Sequence, residues 1–161
     1  MRRTLLGIYL NDHLLGATVG RELARRAATS NRQSSHGPFL AALAQDIDED
    51  RDSLIRIMEA LGVRVDPVKV AAGWAAEKVG RLKCNGQLSG YSPLSRVIEL
   101  EGLALGVRGK LAGWRTLQQL RPRLAALGRF DLDALEQRAE RQLEQLEAHR
   151  LEAAADAFPD G

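Results

Sequence analysis

Ser92-Pro93-Leu94-Ser95-Arg96-Val97-Ile98-Glu99-Leu100-Glu101-Gly102-Leu103-Ala104-Leu105-Gly106-Val107-Arg108-Gly109-Lys110-Leu111-Ala112-Gly113-Trp114 is the stretch that decides the fold. A serine followed by proline opens a helix, because the serine side chain can cap it and proline at the first position loses no needed N–H. Leu94, Val97, Leu100, Ala104, Val107, Leu111 and Trp114 then recur at helical spacing, and Pro122 ends the segment. Gly102, Gly106, Gly109 and Gly113 share a stripe of this helix. Each interior glycine costs a helix about 1 kcal/mol against alanine. A neighbouring backbone that must come very close is a physical reason to keep them.

Outward from this segment the same punctuation predicts helices over about 4–28, 38–61, 67–83 and 132–157, besides 93–120 itself. Gly37-Pro38 opens the second and Leu61-Gly62-Val63 closes it with a glycine C-cap. Asp66-Pro67 opens the short third, and Asp131 or Asp133 caps the last. The chain is therefore read as all-α and as one domain over residues 1–161, long enough to bury a core. Short links make the first two and the last two long helices antiparallel neighbours. The long connection between the second helix and the 93–120 helix makes those two parallel. Gly73 and Gly80 on the crossover helix are the expected partners of the glycine stripe, with a second copy of the chain as the alternative.

Composition excludes more than it identifies. A net charge of +2 leaves no strong field for nucleic acid, although 19 arginines against 4 lysines raise the isoelectric point to about 9.0. Cys84 is the only cysteine, so no internal disulfide or CxxC site exists, and a cytoplasmic setting is expected. The apolar run after Met1-Arg2-Arg3 is stopped by Asn11, Asp12 and His13, so no secretory leader is expected. No apolar stretch approaches the roughly 20 residues of a transmembrane span.

Polar groups on apolar faces carry the functional question. The first helix is expected to turn Leu5, Ile8, Tyr9, Leu15, Val19 and Leu23 inward, together with Asp12 and His13. The second places Asp50 at the centre of its apolar face and Asp46 on the flank. Glu101, Arg108 and Arg115 fall on the apolar arc of the 93–120 helix, and Glu136 and Glu140 edge the leucine stripe of the last. His149 falls off that stripe and is expected in water. No phosphate loop, nucleophile triad or zinc signature is present.

Four long helices in two antiparallel pairs, a long crossover and carboxylates from several helices together resemble the ferritin-like superfamily. Tyr9-Leu10-Asn11-Asp12-His13-Leu14 is also similar to openings of small bacterial helical-bundle proteins. The resemblance implies a di-iron or di-manganese centre, with Asp12, His13, Asp46, Asp50, Glu101 and Glu140 as the residues available to hold it. The superfamily's Glu-x-x-His pairs are missing: Leu10, Gln33 and Leu146 stand three residues before His13, His36 and His149. The leading expectation is therefore a structural or interaction protein without a cofactor. Its acids Asp12, Asp50 and Glu101 would be neutralised by Arg108 and Arg115, because an isolated buried charge costs too much. The alternatives are a metal-dependent oxidoreductase and a small-ligand cavity in the room left by Gly16 and Gly20. The narrow leucine stripe of the last helix also suits contact with a second copy.

Overall fold

The computed structural model describes residues 2–69, 71 and 91–159, except for the side chains of residues 2–4. Its long helices are α1 (Arg2–Ser30), α2 (Gly37–Ala60), α3 (Pro93–Leu120) and α4 (Leu132–Ala157). Two 3-10 turns, Arg121–Arg123 and Ala125–Arg129, join α3 to α4. No strand occurs among the described residues, and the chain is all-α there. The crossover helix expected over 67–83, with Gly73 and Gly80, lies outside the described residues beyond its start. At that start Asp66 caps it, its Oδ1 accepting from Val68 N at 2.9 Å and Lys69 N at 3.3 Å.

Local chemistry explains the helix limits. Ser92 accepts from Ser95 N at 3.1 Å while the Ser95 hydroxyl reaches back to Ser92 N, a reciprocal cap on α3 ahead of Pro93. Asp131, rather than Asp133, caps α4 by accepting from Ala134 N at 3.0 Å. At the end of α2, Gly62 adopts φ 67°, and the Gly62 and Val63 N–H groups close on the carbonyls of Glu59 and Met58. Gly37 starts α2 where a Cβ would lie 2.7 Å from Asn31 O, so the tight link between α1 and α2 admits only glycine.

Cross-helix contacts give the directions. Arg25 of α1 pairs with Asp48 of α2 at 2.7 Å. Tyr9 Oη donates to Thr116 Oγ1 at 2.9 Å while Arg26 meets Glu99 at 2.9 Å, so α1 and α3 are antiparallel. Arg115 meets Glu136 at 2.7 Å and Arg150 meets Glu101 at 3.8 Å, which makes α3 and α4 antiparallel. Arg138 with Glu49, and His149 with His36, do the same for α4 and α2. Two helices each antiparallel to α4 are parallel to one another, so α2 and α3 run in the same direction. The long connection supplies the return.

The core contains Leu40, Leu43 and Ile57 of α2, Leu100, Leu103 and Leu117 of α3, and Leu132 and Leu146 of α4, all wholly buried. On α1 the buried apolar residues are Leu10, Leu14, Ala24 and Ala27, whereas Leu5 and Ile8 are exposed and Asp12 faces out. The centre of the inward face is thus displaced from the expected one, of which Tyr9, His13 and Leu23 keep contact with α3 or the core edge. Apolar residues ring that helix, so its periodicity alone selects no side. The leucine stripe of α4, expected to suit a second copy, is spent on this chain's own core: Leu132, Leu135, Ala139, Leu146 and Ala153 are all buried.

The glycine stripe divides. A Cβ on Gly113 would lie 3.0 Å from the His13 ring and one on Gly102 would lie 3.1 Å from Leu23 Cδ2, so these two admit α1. Gly106 and Gly109 meet nothing within 4 Å among the described residues. No helix among the described residues is long and apolar enough to cross a membrane.

Candidate functional site

Asp50 sits at the middle of α2 and is 2% exposed. Such a carboxylate needs cationic and hydrogen-bonding partners. It finds them in Lys110 of α3, whose Nζ donates to Asp50 Oδ2, and Arg138 of α4, whose Nη2 donates to Oδ1 at 2.5 Å. Lys110 Nζ also donates to Gln142 Oε1 at 2.5 Å, and Gln142 Nε2 donates to Asp46 Oδ2 at 3.1 Å. Arg138 reaches Glu49 Oε2 through Nη1 at 2.9 Å. One hydrogen-bonded chain therefore ties α2, α3 and α4 together through their centres. Burial pushes the Lys110 ammonium below its usual pKa, against the pull of Asp50. For Arg138 burial also opposes the charge, but Asp50 and Glu49 outweigh it and hold the guanidinium above its ordinary value.

The arginines expected to neutralise the interior acids lie elsewhere. Arg108 is exposed, and Arg115 is a surface residue bridging Glu136 at 2.7 Å and Glu140 at 2.6 Å. Glu101 is exposed with Arg150 at 3.8 Å, and Asp12 is exposed with Lys69 at 2.5 Å. Lys110, Arg138 and Gln142 take the expected role. Two of them carry a sequence signal. Gln142 lies three residues after Ala139 and four before Leu146 on the buried stripe of α4, and Lys110 lies between Val107 and Trp114 on the inward arc of α3. Lys110 reaches the interior because its stem can lie along apolar surface while its ammonium finds acceptors.

The residues present do not fit a di-metal centre. Both oxygens of Asp50 accept from cations of the protein itself, and Asp46 accepts from an amide. Glu101 and Glu140 face arginines at the surface. His13 lies edge-on to Tyr9 with centroids 4.5 Å apart and packs against Gly113, and its pKa is lowered chiefly by burial. An ammonium and a guanidinium on the central carboxylate repel a metal ion that would need the same oxygens.

Beside the network, a cavity of about 360 Å³ opens between α1, α2 and α3. Gly16 and Gly20 of α1 and Gly106 and Gly109 of α3 line it, so it occupies room made by absent side chains. Leu10, Leu54, Leu103 and Val107 give it an apolar wall. Among its lining groups, Trp114 Nε1 and Arg51 Nε are buried donors without a hydrogen-bond partner among the described residues. Arg51 Nη1 lies 3.8 Å from the carboxylate of the exposed Asp52. Arg21 Nε also lacks a well-directed hydrogen bond, but its 2.7 Å contact with Asp48 satisfies its charge.

At the far end, His36 in the link before α2 and His149 on α4 come together, Nδ1 to Nδ1, at 2.9 Å. His149, expected in water, stacks on Phe39 with centroids 4.2 Å apart. Nothing in the spacing of residues 36 and 149 foretold the meeting, which follows from the antiparallel register of α2 and α4. No family model, no curated protein and no solved structure matches the chain.

Proposed function

We propose that this chain is a helical bundle of ferritin-like topology in which an ion-pair network occupies the place of a di-metal centre, and that it acts as a binding protein for a small apolar acid. The parallel α2 and α3 joined by a long crossover support the topology. The donor set around Asp50 supports the replacement of metal by ammonium and guanidinium.

One observation carries the ligand reading: an apolar cavity lined by two buried donors, Arg51 Nε and Trp114 Nε1, that have no acceptor among the described residues. A buried donor left unpaired costs about 1–3 kcal/mol, which a carboxylate-bearing guest would recover. Within the cavity lining, Lys110 and Asp50 cancel, His13 is held towards its neutral form by burial, and Asp12 is balanced by Lys69. Arg51, whose carboxylate contact with the exposed Asp52 is long at 3.8 Å, is thus the least compensated charge of the lining, and it favours an anion. The volume lies in the range of about 300–1,000 Å³ used for small ligands.

Trp114 reports directly on the site in a Trp74→Phe background, which leaves it the sole tryptophan. Decanoate is expected to change its emission saturably, with decanol and decylamine weaker by about tenfold or more, a difference of ~1.4 kcal/mol. Arg51→Gln removes the preference for the acid, and Gly106→Leu blocks the cavity. Equal responses to decanoate and decylamine, or no saturable response to any of the three, would refute the proposal.

A further inference from the structure

We infer that His36, His149 and Glu152 form a binding site for one divalent cation of the zinc class at the end of the molecule where α2 begins and α4 nears its end. Their ligand atoms all lie within 4.8 Å of one another. The two Nδ1 atoms are 2.9 Å apart, and Glu152 Oε2 is 3.6 Å from His149 Nδ1. Bonds of about 2.0–2.1 Å from a tetrahedral ion place two ligand atoms roughly 3.3 Å apart, so these separations straddle the required one. The third separation, His36 to Glu152, lies within 4.8 Å, and the exposed Glu152 side chain swings in to complete the geometry.

The surroundings prepare the three groups for a cation. His36 is 1% exposed, and its pKa is lowered by burial first, with Arg96 and His149 adding to the effect and Glu152 and Asp156 opposing it. Its Nδ1 already faces His149 Nδ1 at 2.9 Å, so both ring nitrogens point at the place a shared ion would take. Phe39 stacks flat on the His149 ring and fixes its plane, the interplanar angle being 15°. The acids facing the site are Glu152 and Asp156, and the facing cation is Arg96, which already donates to Asn31 Oδ1 at 2.6 Å and lies 3.8 Å from Asp156. Arg96 is drawn off by Asn31 and Asp156, which leaves the Glu152 carboxylate as the charge offered to an incoming cation. Two imidazoles and one carboxylate suit zinc and its neighbours in the first transition row better than calcium or magnesium, which prefer all-oxygen shells. Glu152 is exposed, so the fourth position opens to solvent and takes water or a ligand brought by the ion. The site is far from the cavity and independent of the ligand reading.

The rival account of the same geometry is a hydrogen bond between two neutral imidazoles, one donating and one accepting, with no metal. Titration of the chelator-stripped chain with Co²⁺ separates the two. Binding at one ion per chain with the visible bands of a four-coordinate ion, displaced by Zn²⁺, is expected. Glu152→Gln, at an exposed position that leaves folding intact, and His149→Asn each weaken binding by about 100-fold or more, as loss of any one of the three ligands should exceed the loss of an outer-shell partner. His13→Asn, at the other end of the molecule, leaves binding unchanged. Stoichiometry well below one ion, or equal affinity in wild type, E152Q and H149N, overturns the inference. Circular dichroism on each variant separates a lost site from a lost fold.

Discussion

Lys110 spends a long, flexible side chain on three helices at once, and its removal has a sharper consequence than its size suggests. Lys110→Met leaves Asp50 buried with Arg138 alone and leaves Gln142 Oε1 without its donor. Breaking a buried pair from one side costs about 3–5 kcal/mol, and the surviving Arg138 contact places the expected loss near the lower end. Asp50→Asn in the Lys110→Met background removes the stranded charge. The double variant is therefore expected to be destabilised by less than the sum of the single changes. Urea unfolding of the four members of this cycle measures the coupling, and strict additivity would mean that the pair contributes no mutual stabilisation.

At the scale of one element, glycines that look alike in the sequence have opposite duties. Gly37 stands where a Cβ would be driven to 2.7 Å from Asn31 O and 2.9 Å from Arg32 O, both backbone atoms that cannot step aside. Gly37→Ala is expected to destabilise by about 1–3 kcal/mol, in the range of an overpacked site. Gly106, inside α3, meets nothing within 4 Å among the described residues. Gly106→Ala is expected to stabilise by up to about 1 kcal/mol through helix propensity alone. Thermal or chemical unfolding of the two variants should move in opposite directions. A large loss at Gly106 would show a close neighbour there and withdraw the open cavity. Position in the stripe was plain from the spacing of residues 102, 106, 109 and 113. Which of them touches a neighbour depended on how far α1 leans towards α3 at each level.

For the whole molecule, the two imidazoles with burial-lowered pKa values set a direction for acid sensitivity. His13 and His36 both titrate below their ordinary value of 6.5 in the folded chain. As pH falls through that value the unfolded chain takes up protons that the folded chain still refuses, so stability drops. The loss from these groups ends once pH has passed their lowered folded values. Denaturant unfolding with a chelator present, between about pH 7.5 and about pH 5.5, is expected to show this decline, and His13→Gln with His36→Gln to flatten it. An unchanged slope in that double variant would assign the acid response to carboxylates instead.

The four long helices, their limits, their capping residues and the parallel course of α2 and α3 were all legible along the chain. They arise from local signals: proline at first turns, Ser92 and Asp131 as caps, Gly62 past a helix end, and the lengths of the links. The side of α1 that faces inward was not legible, because Leu5, Ile8, Leu10 and Leu14 ring the helix and only its packing against α2 and α3 selects among them. The same cause hid the partners of Asp50. A residue's inward position could be read from its spacing, as it was for Asp50. Whether Arg108 or Lys110 meets it turns on two residues of helix rotation and on the reach of a side chain. His36 and His149 were likewise brought together only by the register of two antiparallel helices more than a hundred residues apart in sequence. Local propensity acts over a turn or a cap, whereas the pairing of charges and ligands depends on how whole helices rotate and slide to close a common core.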